Sequence, residues 1–361
     1  PEMLIIVATA LELAVALIAH HFPYTDPTNH LARYTLISRI WFGDPPGYVV
    51  FHWVPTSYIA GDVVGALSVH FIGAVATLRL INVATLILLP LGMYGLLWYA
   101  APAQRGWALV GVLFGFASHF MVGFLNYSLG FGLAFCWLAV WYPRRANASW
   151  KARLLLAFGM IVLFLVHLTA PLTVLVVVWM DWGVTMIGDD RLRPPSQWKP
   201  FDSRLGTASV MLAAVALVWV WASYSTWNAV GPPGEYVLRS IRNKLLVFTS
   251  PFYSVSMQAA VIMSVGYAAS FAAMVYVRRR TLRVDTLVAA GVIMFVLYLL
   301  FPKAIPGAGA IDIRGLSAGY RLLFCASQRG PEKEPRLVLL MLVAACVLHT
   351  ASVAWTARAI D

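Results

Sequence analysis

The chain has 361 residues, 61% of them hydrophobic and only 11% charged, where soluble domains run near half apolar and a quarter charged. This composition excludes an ordinary water-soluble enzyme and predicts an all-α, polytopic membrane bundle of about ten transmembrane helices forming one domain, residues 1–361. Lys and Arg number 26 against 15 Asp and Glu, a net +11, but the basic residues fall in short links between apolar runs, so the charge reports membrane topology and not a nucleic-acid partner.

The first apolar run, Met3 to Phe22, lacks a basic leader and a small-residue cleavage pattern and is long enough to cross a bilayer, so it reads as a retained first helix. The stretch 20–75 follows as a first extracytoplasmic loop with juxtamembrane helices. In it Asp26 precedes Pro27, a helix start, because Asp accepts the first free amides and proline fits the first helical position. Asn29, His30 and Arg33 then share one polar face. That face reads either as a capped interfacial helix anchored at lipid headgroups, or as a catalytic edge. In the second reading Asp26 is a general base, and Arg33 or His30 holds an anionic leaving group.

Further apolar runs lie near 78–100, 106–122, 125–142, 153–169, 171–187, 207–225, 258–277, 284–302 and 336–356. Pro171 separates two of them by interrupting the helical ladder. The links holding Arg144, Arg145, Lys151 and Arg153, then Arg191, Arg193, Lys199 and Arg204, then Arg278, Arg279, Arg280 and Arg283 alternate as cytoplasmic links should. The opposite face collects His119, Asn126, Tyr127, His167, Lys303, Asp312 and Arg314. Headgroup anchors would be shared between both faces, so this one-sided gathering predicts an extracytoplasmic pocket. Arg239, Arg242 and Lys244 on the same face depart from the charge bias and favour an anionic ligand. Phospholipid headgroups would satisfy them equally. Asp312 and Arg314 read either as a solvated pair or as part of a phosphate site, to which arginine brings two-point contact and lysine a point charge.

Inside the bilayer, Glu12 reads as structural or neutral, and its pairing with Arg79 requires matched depths. The glycines of NYSLGFG, residues 126–132, read as helix contacts. Cys136, Cys325 and Cys346 have no metal-ligand spacing. The segment Gly315 to Ser327 is short for a span and leaves the side of the C-terminal helix open.

The motif Asp26-Pro-Thr-Asn29-His30-Leu-Ala-Arg33, the stretch Gly123-Phe-Leu-Asn126-Tyr127 and the later Asp312-Ile-Arg314 resemble a group of bacterial polytopic proteins that looks like a branch of the GT-C superfamily. These are integral glycosyltransferases that take sugars from polyprenyl-phosphate carriers. The resemblance implies a cytoplasmic N-terminus, a first external loop with interfacial helices, a catalytic carboxylate matched by Asp26, and residence in the bacterial cytoplasmic (inner) membrane.

The expected function is therefore sugar transfer from a lipid-linked donor at the extracytoplasmic face. Asp26 would take the acceptor proton, and Arg33, Lys303 and Arg314 would stabilise the donor phosphate. Asn29, His30, His119, Asn126, Tyr127, His167 and Asp312 would position the substrates. A divalent metal stays open as a cofactor, though no residue is assigned to it. Partners are the lipid donor and membrane lipids, with partner membrane subunits as a further expectation. A transporter or lipid flippase, and a non-catalytic subunit of a larger membrane complex, are the rival readings.

Overall fold

The computed structural model describes residues 1–18, 27–44, 47, 57–117, 120, 123–146, 148–189, 203–227, 240–244, 257–278, 285–301, 304–305, 308–309, 311–325 and 336–360. Among the described residues the regular structure is helical apart from a two-residue antiparallel pairing of 304–305 with 308–309. The helices are α1 (Glu2–Ile18), α2 (Pro27–Phe42), α3 (Ile59–Ile72), α4 (Ala74–Ala100), α5 (Leu109–Leu113), α6 (Leu125–Trp141), α7 (Trp150–Val166), α8 (Thr169–Asp189), α9 (Ser203–Trp227), α10 (Met257–Arg278), α11 (Thr286–Leu300), α12 (Ile311–Phe324) and α13 (Arg336–Ile360). Among the described residues four helices are long and apolar enough to cross a membrane, within Ala74–Ala100, Leu125–Arg144, Arg204–Trp221 and Arg336–Trp355. Large apolar side chains also point outward, among them Ile6, Leu91, Leu155, Leu217 and Leu340. Such a surface is costly in water and neutral in lipid.

Small residues set the helix spacing. α4 and α6 run parallel with glycine notches on both sides. A Cβ on Gly92 would lie 2.6 Å from the Cys136 amide nitrogen, and one on Gly132 would lie 2.9 Å from the Leu88 Cβ. Gly132 thus serves packing, as its sequence setting predicts. The expected span 106–122 is not a continuous helix. Its described part is a 3₁₀ turn, Pro102–Ala108, then α5, then turns through Ala117. The reason is crowding: Gly111 faces the Pro90 backbone and Gly115 faces the Glu12 carboxyl. The segment is threaded through the middle of the bundle, with Leu109, Val110, Val112 and Leu113 fully buried.

The two ends of the bundle differ in chemistry. At one end Asp181, late in α8, lies 3.4 Å from Arg145 and 3.5 Å from Arg204, and accepts a hydrogen bond from the Thr286 hydroxyl at 2.8 Å. Residues from the three basic links, or one turn from them, are tied to one carboxylate. The start of α8 lies twelve residues away, about 18 Å at 1.5 Å per residue. It follows directly on His167, at the opposite end. Among the described residues, Arg145 of the first basic link and Arg204 of the second therefore lie together at one end.

The last helices resolve the question that Gly315 to Ser327 leaves open. α12 lies antiparallel to α11, with Tyr320 against Phe295 at 4.9 Å and Leu323 packed on Gly291, and Phe324 reaches Trp107. α13 then returns. Cys346 lies beside the Leu109 carbonyl, His349 contacts the Phe116 carbonyl at 3.0 Å, and Val353 joins a cluster with Tyr34 and Phe120. The end of α13 therefore lies at the α2–α3 end.

Lys244 has a structural role that its sequence position does not announce. Its buried ammonium donates to the carbonyls of Tyr298 (2.9 Å), Leu299 (2.6 Å) and Phe301 (2.7 Å), and the Tyr298 hydroxyl donates back to the Lys244 carbonyl. A cation at a helix C-terminus satisfies carbonyls that have no partner within the helix. Lys244→Met should cost about 2–3 kcal/mol by stranding these acceptors, read as a lower thermal midpoint of the purified protein in detergent. An unchanged midpoint would remove the cap from the account of α11.

Candidate functional site

The site is organised by one face of α3. Tyr58, just before the helix, and Gly61, Asp62 and Gly65 within it are spaced i, i+3, i+4 and i+7, which is one side of a helix. Each meets a different neighbour. Gly61 touches the Asn126 side chain, and Gly65 lies under the Tyr34 ring, where an added Cβ would come within 2.5 Å. Asp62 pairs with Arg33, and Tyr58 packs edge-on against His167 with centroids 5.1 Å apart. Gly61 and Gly65 form a G-x-x-x-G step that lets α2 and α6 approach the α3 backbone. The contacts Arg33 to Asp62, Tyr34 to Gly65 and Phe42 to His70 show that α2 and α3 run parallel.

Gly73 joins α3 to α4. Its φ of 81° and ψ of 166° lie in a region essentially confined to glycine. The bend turns the chain straight back, so α4 descends beside the helix that carries Asp62.

α2 begins at Pro27, as the sequence predicts. Asn29 is exposed on it, and His30 is half-buried with its ring 6.0 Å from Tyr34. Arg33 is half exposed while Asp62 is buried. Burial holds the Asp62 carboxyl above the usual carboxylate range, against the pull of the Arg33 guanidinium. Arg33, expected to face a phosphate, thus already has a carboxylate partner, one that the sequence reading passed over.

Asn126 and Tyr127 open α6 and are both buried. Tyr127 lies edge-on to His167 at 5.4 Å, and a Cβ added at Gly130 would come within 3.0 Å of the His167 Cβ, so the glycine lets α6 lie close to His167. His167 is extended between α7 and α8. Its Nδ1 accepts the Thr169 backbone N–H at 3.1 Å, which leaves Nε2 to carry the proton of the neutral ring. On the far side of Tyr127 sits Arg321 of α12, fully buried, hydrogen-bonded to Tyr127 and stacked between Phe114 and Phe131 at 4.6 Å from each ring.

Of the predicted site residues, the structure brings Arg33, Asn126, Tyr127 and His167 around α3, with His30 one turn along α2. Asp26, His119 and Lys303 lie outside the described residues, and Asp312 and Arg314 are described only as backbone in the first turn of α12. Asp62, Tyr58 and Arg321 are additions. The Gly61-Asp-Val-Val-Gly65 pattern could have flagged Asp62, since an acid inside a close-contact motif is bound to be buried. Arg321 gives no such local signal. Asp62 Oδ1, Asn126 Nδ2, Ser128 Oγ and the Tyr34 hydroxyl are buried without hydrogen-bond partners among the described residues. Buried polar atoms of this kind are normally satisfied, so those of Asp62, Asn126 and Tyr34, gathered on one face of α3, mark a place for water or a polar ligand. No family model, curated protein or solved structure matches this chain.

The Arg33 and Asp62 pair can be separated from the packing around it. Arg33→Gln should destabilise the protein by about 1–3 kcal/mol, because it leaves a buried carboxylate without its donor. Adding Asp62→Asn should recover most of that loss, since the double variant buries no uncompensated charge. Thermal or denaturant unfolding of the three variants in detergent reads this out, and additive losses would mean the two groups act independently.

Proposed function

We propose that the protein is a polytopic membrane glycosyltransferase of about ten spans, set in the bacterial cytoplasmic membrane, that moves a sugar from a polyprenyl-phosphate donor to an acceptor at the extracytoplasmic face. The observation that carries this reading is the gathering of Arg33, Asp62, Asn126, Tyr127 and His167 around α3, with Arg321 behind Tyr127, at the end of the bundle opposite the Arg145 and Arg204 links. Guanidinium groups suit a phosphate leaving group, which gains charge as the sugar departs. Amide, phenol and imidazole groups suit sugar hydroxyls. The apolar flanks of the neighbouring helices are a medium for a prenyl chain.

In this scheme Asp26 removes the acceptor hydroxyl proton as the acceptor oxygen bonds to the anomeric carbon. The bond from that carbon to the phosphate oxygen breaks, and the charge on the departing phosphate is met by Arg33, with Lys303 and Arg314 from the far part of the chain. Asp62 holds Arg33 in place. Asn29, His30, His119, Asn126, Tyr127, His167 and Asp312 position the substrates.

One observation favours a second reading, a transporter or lipid flippase. Glu12 is fully buried in α1, and neither carboxyl oxygen has a hydrogen-bond partner among the described residues. Ionisable groups at such depth commonly mark ion or substrate pathways.

Membranes supplied with a polyprenyl-phosphate sugar separate the two. Asp26→Asn at normal expression should lower sugar transfer by about 10²–10⁴-fold, the usual contribution of a general base, while Glu12→Gln should retain it. Full transfer by Asp26→Asn would remove that base assignment. Movement of the lipid across the bilayer without transfer, lost in Glu12→Gln, would replace the enzyme with the transporter.

A further inference from the structure

A second feature lies at the other end of the bundle, away from α3. Residues Glu2, Ile5, Ile6, Thr9, Ala10 and Leu13 form one face of α1. With Ile87, Pro90, Leu91 and Tyr94 of α4 they line a groove of about 480 Å³. Its walls are apolar except near one end. Proline inside a helix removes one ladder hydrogen bond and bends the axis, and Pro90 stands in the wall of the groove. Ile6 and Leu91 on its rim are exposed, so the groove opens outward from the bundle.

The polar end is built from named groups. Arg105 Nη1 donates to the Tyr94 hydroxyl at 3.3 Å, its Nη2 lies 3.3 Å from Glu2, and its guanidinium stacks on Trp98 with the carbon 4.3 Å from the ring centroid. Its side chain remains 27% exposed. Arginine carries five N–H donors, so donors remain for a further anion. Aromatic and basic side chains together are the signature of a headgroup region.

Length decides what fits. From Glu2 to Leu13 the groove follows eleven residues of α1, about 16 Å at the helical rise. That is close to half of a hydrocarbon core about 30 Å thick. A groove that starts at an arginine in the interface and ends at mid-bilayer matches one acyl chain of one leaflet.

We propose that the groove between α1 and α4 is a binding site for a membrane glycerophospholipid, one acyl chain lying along Ile6, Ala10 and Leu91 and the phosphate resting on Arg105. The site belongs to the leaflet at the Arg105 end. It is separate from the α3 site and does not depend on the function proposed there. Arg105 shares that end with Glu2, so the lipid phosphate joins an existing ion pair and the acyl chain supplies most of the fit.

Native mass spectrometry of the detergent-purified protein with added dioleoylphosphatidylglycerol tests this. Wild type should retain at least one lipid. Ala10→Trp, which fills the groove, and Arg105→Gln, which removes the phosphate contact, should each lower occupancy at least about fivefold, as a loss of about 1 kcal/mol in binding implies. Leu155→Trp, on the exposed face of α7, should leave occupancy unchanged. Should Ala10→Trp fail to fold, a phospholipid with a mid-chain diazirine gives an independent readout on wild type, and its crosslinks should concentrate on residues 5–13 and 87–94. Equal occupancy in all variants, crosslinks spread evenly over the apolar exterior, or displacement of the phospholipid by a polyprenyl phosphate would each overturn the proposal.

Discussion

Two missing side chains determine how the polar end of this bundle is built. At Gly61 and Gly65 the α3 backbone is bare, and the Asn126 amide and the Tyr34 ring occupy the space that a Cβ would take. Because α2 and α6 come that close, the residue between those contacts, Asp62, is sealed from solvent and needs a counter-charge. Arg33 supplies it from the adjacent helix. Even one methyl at Gly65 would meet the Tyr34 ring and push α2 outward. The close approach, the burial and the ion pair are one constraint seen at three levels.

α8 links this end to the other. His167 sits at its entrance, held by hydrogen bonds from Thr169, and Asp181 sits about three turns further along, gathering Arg145, Arg204 and Thr286. A single helix thus fixes the distance between a basic end, where links are clamped by one buried acid, and a polar end where Tyr58 and Tyr127 meet His167 edge-on. Lys244 performs for α11 what Asp181 performs for the basic links. Its charge satisfies carbonyls at the end of a helix, and little of it is left for a ligand. A basic residue that departs from the topological charge bias therefore proves to be architecture.

The interior retains polar atoms with no partner among the described residues. Glu12 lies against Gly115 at the level of Leu86, seven residues and about 10 Å along α4 from Arg79, and the two do not pair. Asn82 Oδ1 and Thr350 Oγ1 are also buried without partners. α1, α4 and α13 carry these groups toward the same end as Tyr34 and Asp62. Unsatisfied oxygens inside an apolar bundle are stable only with water or a ligand beside them. The region beneath α3 is accordingly the part of the core where packing alone does not account for the residues present.

The sequence by itself determined what depends on local chemistry or on sums along the chain. Apolar runs announced helices, Pro27 and Pro171 marked helix starts to within about two residues, the limit of such readings, and the alternation of basic links separated the two ends. The one-sided gathering of Asn126, Tyr127 and His167 was also legible, because each sits at the end of an apolar run and chain direction alternates from run to run. Only the tertiary structure decided how helices pair around the axis, since hydropathy gives depth but not azimuth. For that reason Arg321 could not be placed beside Tyr127, nor Asp62 beside Arg33. The run 106–122 was legible as apolar and illegible as a broken helix, because its glycines answer to Pro90 and Glu12, which are distant in sequence. Lys244 illustrates the same limit: a charge in a link looks the same whether it faces solvent, a phosphate or the end of another helix, and only the neighbour brought in by folding decides among them.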